Sequence, residues 1–331
     1  MALITGATTT YTRSTSPNNV IAEDVTDIIY NISPTDTPFM NMIGTRDVGN
    51  TTFEWLTESL PSPDSTPANV AVLEGDEFSA DTAVNQTRLS NTVMIMTRSA
   101  QATGSQQATS SYGFEDEMAH QLTLAGRILK NNVEAVLVSN NPRVAGTATA
   151  ARSTRGMEHW ITTNDDRGPG SSTAGAQAAS ETAAMTDADA TRALTETLLS
   201  SSMQTAYANG SEPSVLMVGP FNKRAVSAMT GRASARAEVS IETVASNVTL
   251  FASDFGDLRV VVNRKQRDRT AFLLDPEFWS VAYLRPFTQY EVAKIGDADR
   301  MELLVEMGLE SKNEAGSAAI FDLNTSGTPG Q

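Results

Sequence analysis

The sequence has no cysteine, which excludes disulfides, thiolate nucleophiles and cysteine-bearing zinc sites together. It has only two histidines, His120 and His159, and neither sits in a catalytic signature. No Gly-Lys dipeptide occurs, so a P-loop is excluded, and the patterns G-x-S-x-G and G-x-G-x-x-G are missing as well. Nowhere do about 18 apolar residues run together. The start, MALITGATTTYTRSTSPNN, lacks both the charged and the apolar region of a secretion signal. Neither a membrane span nor export by that route is therefore expected. Basic residues are scarce: 24 Lys and Arg stand against 39 Asp and Glu, a formal net charge of -15 that repels phosphate. Any contact with nucleic acid must be local. What remains is 331 residues with 40% hydrophobic and 19% charged content, a globular chain able to bury one large core or two modest ones.

Residues 1–19 are rich in Thr and Ser with almost no apolar pattern, which reads as an arm that is flexible or held by a partner. Ile21, Val25, Ile28, Ile29 and Ile32 fall at helical spacing until SPTDTP, with its two prolines, stops them before the short apolar FMNMI. Thr52–Leu60 and Leu89–Thr97 read as strands of one long excursion. The spacing of Met118, Leu122, Ala125, Leu129, Val133 and Val136 predicts a helix over Ser111–Asn141, at 1.5 Å per residue roughly 40 Å long, with Glu115, Asp116 and Glu117 at its positive end. Residues 164–184 are rich in Gly, Ala and Ser and read as a loop or hairpin between two lobes.

The second lobe reads as a helix over Asp187–Asn209, a buried strand SVLMVG, a helix opening at Pro220, two strands around Gly256-Asp257 and a strand FLLD. In MELLVEMGLE the odd positions Met301, Leu303, Val305, Met307 and Leu309 are apolar, while Glu302, Glu306 and Glu310 mark a solvent-facing side. With FTQYEVAKI before it and SAAIFDL after it, this strand is expected at the centre of a three-stranded antiparallel meander. On a strand those three acids stand too far apart to share a proton. Asp297 and Asp299 in GDADR resemble the start of a calcium loop but lack the Gly and closing Glu at the required offsets. No cofactor, metal or catalytic residue is expected, and an enzyme reading has no candidate base.

One stretch asks for another explanation. PSPDSTPANVAVLEGDEF, residues 61–78, lies between the two excursion strands with three prolines, acids only, and the apolar trio Val70, Val72 and Leu73. Together with VTDIIYNISPTDTPFMNMIG near the start and LRPFTQYEVAKIGDADRMELLVEMGLESKNEAGSAAIFDL near the end, the order of parts resembles the major capsid (major head) proteins of tailed bacteriophages, with the Hong Kong 97-type fold. The resemblance covers nearly the whole chain and weakens over 164–184 and 231–247.

That resemblance implies an α+β fold. Its parts would be an N-terminal arm and short helix (1–45), an extended loop or E-loop hairpin (46–98), and a peripheral domain with spine helix and insertion (99–186). An axial domain (187–285) and a return to the peripheral sheet with a C-terminal tail (286–331) would complete it. It implies a structural subunit that self-assembles as hexamers and pentamers into an icosahedral shell around double-stranded DNA, made in the host cytoplasm and resident in the virion. A portal protein is the further partner implied, together with either a separate scaffolding protein or none, and with or without a decoration protein. The alternative is the shell protein of a bacterial encapsulating compartment with the same fold. Some relatives cross-link an E-loop lysine to asparagine, but the first lysine here is Lys130, outside that loop. The E-loop tip would dock on the next subunit through Val70, Val72 and Leu73. The basic island RKQRDR, with Arg264, Lys265, Arg267 and Arg269, reads either as a solvated turn or as a complement to a neighbour's acids, of which Asp64, Glu74, Asp76, Glu77 and Asp81 are available.

Overall fold

The longest helix decides where everything else can pack. In the computed structural model, which describes residues 34–58, 63–66, 70–75, 86–109, 116–229, 249–294 and 296–327, that helix runs Glu117–Leu137. The arm, the helix expected over residues 20–32, and Pro61, Pro67, Asp76, Glu77 and Asp81 lie outside the described residues. Two short helices precede the long one in the chain: α1 (Pro38–Met42) and α2 (Gly104–Ala108). The long helix, α3, is 21 residues, about 32 Å at 1.5 Å per residue, shorter than the sequence suggests. Asp116 caps its start by accepting from the Met118 and Ala119 amides. Its end comes early because the Ser139 hydroxyl donates back to the Val136 carbonyl, a local bond that competes with further helix.

Met118, Ala125, Leu129, Val133 and Leu137 are buried on one face of α3, against a four-stranded sheet. The sheet has the order β1 (Gly44–Asp47), β10 (Trp279–Val292), β11 (Ala298–Ser311), β4 (Met94–Thr103). The odd residues Val305, Met307 and Leu309 of β11 enter the core as the alternation requires. Glu306 and Glu310, expected to face solvent, are instead only 3% exposed. Glu306 lies between Arg152 and Arg285, and Glu310 takes Arg46 and the Ser280 hydroxyl, so each buried acid has at least one cation against it.

The expected meander is corrected. β10 and β11 form its hairpin, but the second neighbour of β11 is β4, and the strand in SAAIFDL, β12 (Ala318–Ile320), joins a different sheet. That sheet has six strands in the order β5 (Asp165–Asp166), β12, β9 (Ala271–Leu274), β6 (Val215–Val218), β8 (Gly256–Val262), β7 (Leu250–Ser253). The cause is visible in the side chains: Ala318, Ile320 and Leu323 pack on one side and Ala319 and Phe321 on the other. A strand apolar on both faces belongs in a sheet covered on both faces. Here one cover is the helix pair α5 (Glu196–Ala208) and α6 (Pro220–Ala228), over Leu216, Val218 and Leu273.

The other face of the six-stranded sheet, through Val215, Met217, Phe272 and Leu274, enters the same core as α3 and β11. The two sheets therefore share one interior, and segment 164–184 does not part them. It is sewn to the second sheet, where β5 pairs with β12 and the Gly168 amide donates to Asp322. Helix α5 starts at the Thr195 cap rather than near Asp187, because Asp187 is held by Arg267 and Asp189 accepts from Ser171 and Ser172. The boundary expected at 285/286 falls inside β10.

Candidate subunit interface

The excursion is a two-stranded hairpin, β2 (Thr52–Thr57) with β3 (Thr87–Thr92), in antiparallel register from Thr52 opposite Thr92 to Thr57 opposite Thr87. The second stretch, expected as one strand over Leu89–Thr97, breaks at Val93, where the chain passes from β3 to β4. Val93 is buried with Phe53 and Ala282. Its neighbour Asn91 is turned inward, donating to the Leu309 carbonyl at 2.6 Å and accepting from the Arg155 amide at 3.0 Å. Asn91 thus takes bonds that the strand pairing leaves open, and fixes the joint. Nothing in the sequence pattern marks it.

The hairpin root is aromatic. Phe53 stacks on Trp55 with centroids 5.5 Å apart, and Trp55 meets Trp160 of α4 (Met157–Trp160) at the same distance. Phe53 also lies on β11 at Gly308, where a Cβ would come within 2.7 Å of its ring. Beyond the root the described residues are mostly exposed. Arg88 and Glu54 pair across the strands at 3.4 Å in solvent. At the tip Val70, Val72 and Leu73 are 60%, 56% and 79% exposed, beside exposed Asp64 and Glu74 and a turn at Gly75 with φ of 87°. Branched aliphatic side chains so exposed on a strip with little core of its own are surface without a cover.

The basic island splits. Arg264 reaches Asp36 at 3.9 Å with both side chains mostly exposed, and the Lys265 amide donates to Asn263. Arg267 and Arg269 are not in a solvated turn, and their acids lie in their own chain. Arg267 forks onto Asp187 at 3.0 and 2.8 Å and approaches Glu158 to 2.7 Å. Arg269 bonds Asp322 at 2.9 Å and the Ala188 carbonyl at 2.7 Å. The island is therefore the bottom of a polar seam between α4, the segment before α5 and the end of the six-stranded sheet. The Arg267 hydrogen bond holds the Asp187 carboxyl below the usual range, whereas burial pushes Glu158 up to about 7.

His159 belongs to the same seam: its Nδ1 accepts from Arg155 at 2.8 Å and its Nε2 faces the Ala183 carbonyl at 2.8 Å. Burial lowers its pKa. Lys294 reaches Asp299 at 2.5 Å, and among the described residues no group of three acids, histidines or cysteines is placed to hold a metal. A further joint that sequence reasoning missed is Glu134, buried on α3, which accepts from the Phe39 and Met40 amides at 2.8 and 2.9 Å and from Asn263 at 2.7 Å. It ties α1 to the long helix and to the foot of the island. The available signal was an acid next to the apolar stripe.

Residues 3–324 match the family model described as SU10 major capsid protein. The major capsid protein of Escherichia phage Phieco32 is 22% identical over 326 residues, covering 88% of this chain and 91% of that one. Among solved structures, a chain of the cyanophage A-1(L) capsid superposes with a TM-score of 0.66 at 11% identity, over 96% of this chain and 99% of its own. A chain of the native GTA particle capsid gives 0.60 at 11% identity, over 95% and 99%. The fold is the α+β, Hong Kong 97-type capsid fold.

Proposed function

Because the chain belongs to the SU10 major capsid protein family, a family of structural proteins that build the phage capsid shell, we propose that its hairpin is the arm by which one subunit grips the next. Residues 48–93, between β1 and β4, act as the extended loop, α3 and the four-stranded sheet form the peripheral domain, and most of 187–285 forms the axial domain. Copies gather as hexamers and pentamers into an icosahedral head around double-stranded DNA, assembled in the host cytoplasm. A portal protein closes the shell, with a separate scaffolding protein and a decoration protein as further partners. Val70, Val72, Leu73, Asp64, Glu74, Asp76 and Glu77 meet the neighbouring copy, as do Arg264, whose side chain is 58% exposed, and Lys265 beside it. Arg267 and Arg269 act on the interface by holding the seam behind it.

The observation that carries this reading is the tip: three exposed aliphatic side chains on a hairpin whose own root is well packed. Removing residues 61–78 leaves the shared core untouched, so the protomer is expected to keep its circular dichroism spectrum and melting temperature. Particles are expected to disappear in sedimentation and negative-stain microscopy. Normal particles from the deletion sink the reading.

A further inference from the structure

The sheet face turned away from α3 carries a groove of about 380 Å³, walled by Ile95 of β4 and by Ala145, Ala150 and Ala151 of the neighbouring loop, with Arg152 at its edge. The alternation of β4 sets this side: Ala100 and Ala102 pack under α3 with Met118 and Ala125, so odd-numbered Ile95 faces the other way and is 44% exposed. The loop is closed at its base by the paired backbones of Val144 and Ser153. Beside the groove, Arg152 and Arg285 both close on Glu306, the residue opposite Ile95 in register. Two guanidiniums on one carboxylate leave one positive charge in excess at that edge.

The hairpin tip is its complement. It offers Val70, Val72 and Leu73 with Asp64 and Glu74 beside them, and no basic residue occurs between 61 and 78. Among the described residues, none of the tip lines the groove. Two matching surfaces that stand apart on one molecule can make a head-to-tail contact between molecules, the kind that closes into rings. We propose that the groove receives the Val70–Leu73 tip of a second copy of this chain, with Glu74 turned to the Arg152 edge. The inference rests on the reading of the hairpin as an intersubunit arm and adds its receptor.

The test replaces Leu73 by a photo-cross-linking residue in the full chain, in particles assembled from mixed isotope-labelled and unlabelled subunits, with adducts mapped by mass spectrometry. The expected result is adducts between differently labelled copies, joining position 73 to Ile95 or to the 145–152 loop. Adducts between copies at another surface overturn the groove and leave the arm reading standing; no adduct between copies overturns both. An independent variant, Ala151→Trp, fills the groove from an exposed position. It should leave protomer melting unchanged while raising the protein concentration needed for assembly by about tenfold or more. Assembly at the parental concentration overturns the groove.

Discussion

At the scale of single residues, Glu158 is a buried acid that shares its cation with Asp187. Arg267 directs its fork at Asp187 and gives Glu158 one contact, while burial removes water from both carboxylate oxygens. The folded state therefore holds the proton more tightly than the unfolded chain, with the carboxyl pushed up to about 7 from an ordinary value of 4.5. A pKa raised on folding contributes stability that is fully present below the unfolded value and is lost as pH rises through the folded one. Asp187 runs the other way, its contribution lost only as pH falls below 3.8, outside that window. Glu158→Gln should thus gain melting temperature relative to the parent between about pH 5 and about pH 8. His159 sits in the same seam, so the difference between variant and parent, rather than the parent profile alone, isolates Glu158. A pH-independent difference means that burial does not govern this group.

At the scale of elements, the hairpin depends on a missing side chain. A methyl at Gly308 must push Phe53 off β11, and overpacking of this kind costs about 1–3 kcal/mol. Because β2 and β3 contact the core mainly through that root, Gly308→Ala should speed amide hydrogen exchange in 52–57 and 87–92 and leave α3 protected. Uniform acceleration across the molecule contradicts this division. The elements that the sequence predicts well are those whose signal is local: the alternation of β11, the apolar run of β6, and Pro220 opening α6. What it misses is set by distant partners. The acids of β11 read as solvent-facing because Arg46, Arg152 and Arg285 come from remote parts of the chain, and β12 reads as a meander strand because its true neighbours are β9 and β5. Likewise the tip was legible as apolar surface in search of a cover, whereas the groove needed Ile95 and residues some fifty positions later to be brought together.

At the scale of the whole molecule, the net charge of -15 is repeated in every copy of a shell. Strong sequence-independent affinity for DNA would need a clustered cationic face, and Arg267 and Arg269, half of the basic island, are consumed by internal acids. Filter binding of the unassembled protein to duplex DNA at physiological salt should show little retention; submicromolar affinity would contradict a shell that confines its genome as a wall. The position of β12 has another consequence, for synthesis. It lies between β5 and β9, and Asp322 just beyond it gathers the Gly168 and Ala188 amides and Arg269. A chain still on the ribosome that has emerged only to residue 317 lacks the strand that joins β5 to β9, and the Gly168 and Ala188 amides and Arg269 lack their shared acceptor. Such a subunit has its four-stranded sheet but only part of the second one, and the shared core is open on that side. With so late a strand between β5 and β9, the six-stranded sheet is the last part of a growing subunit to close.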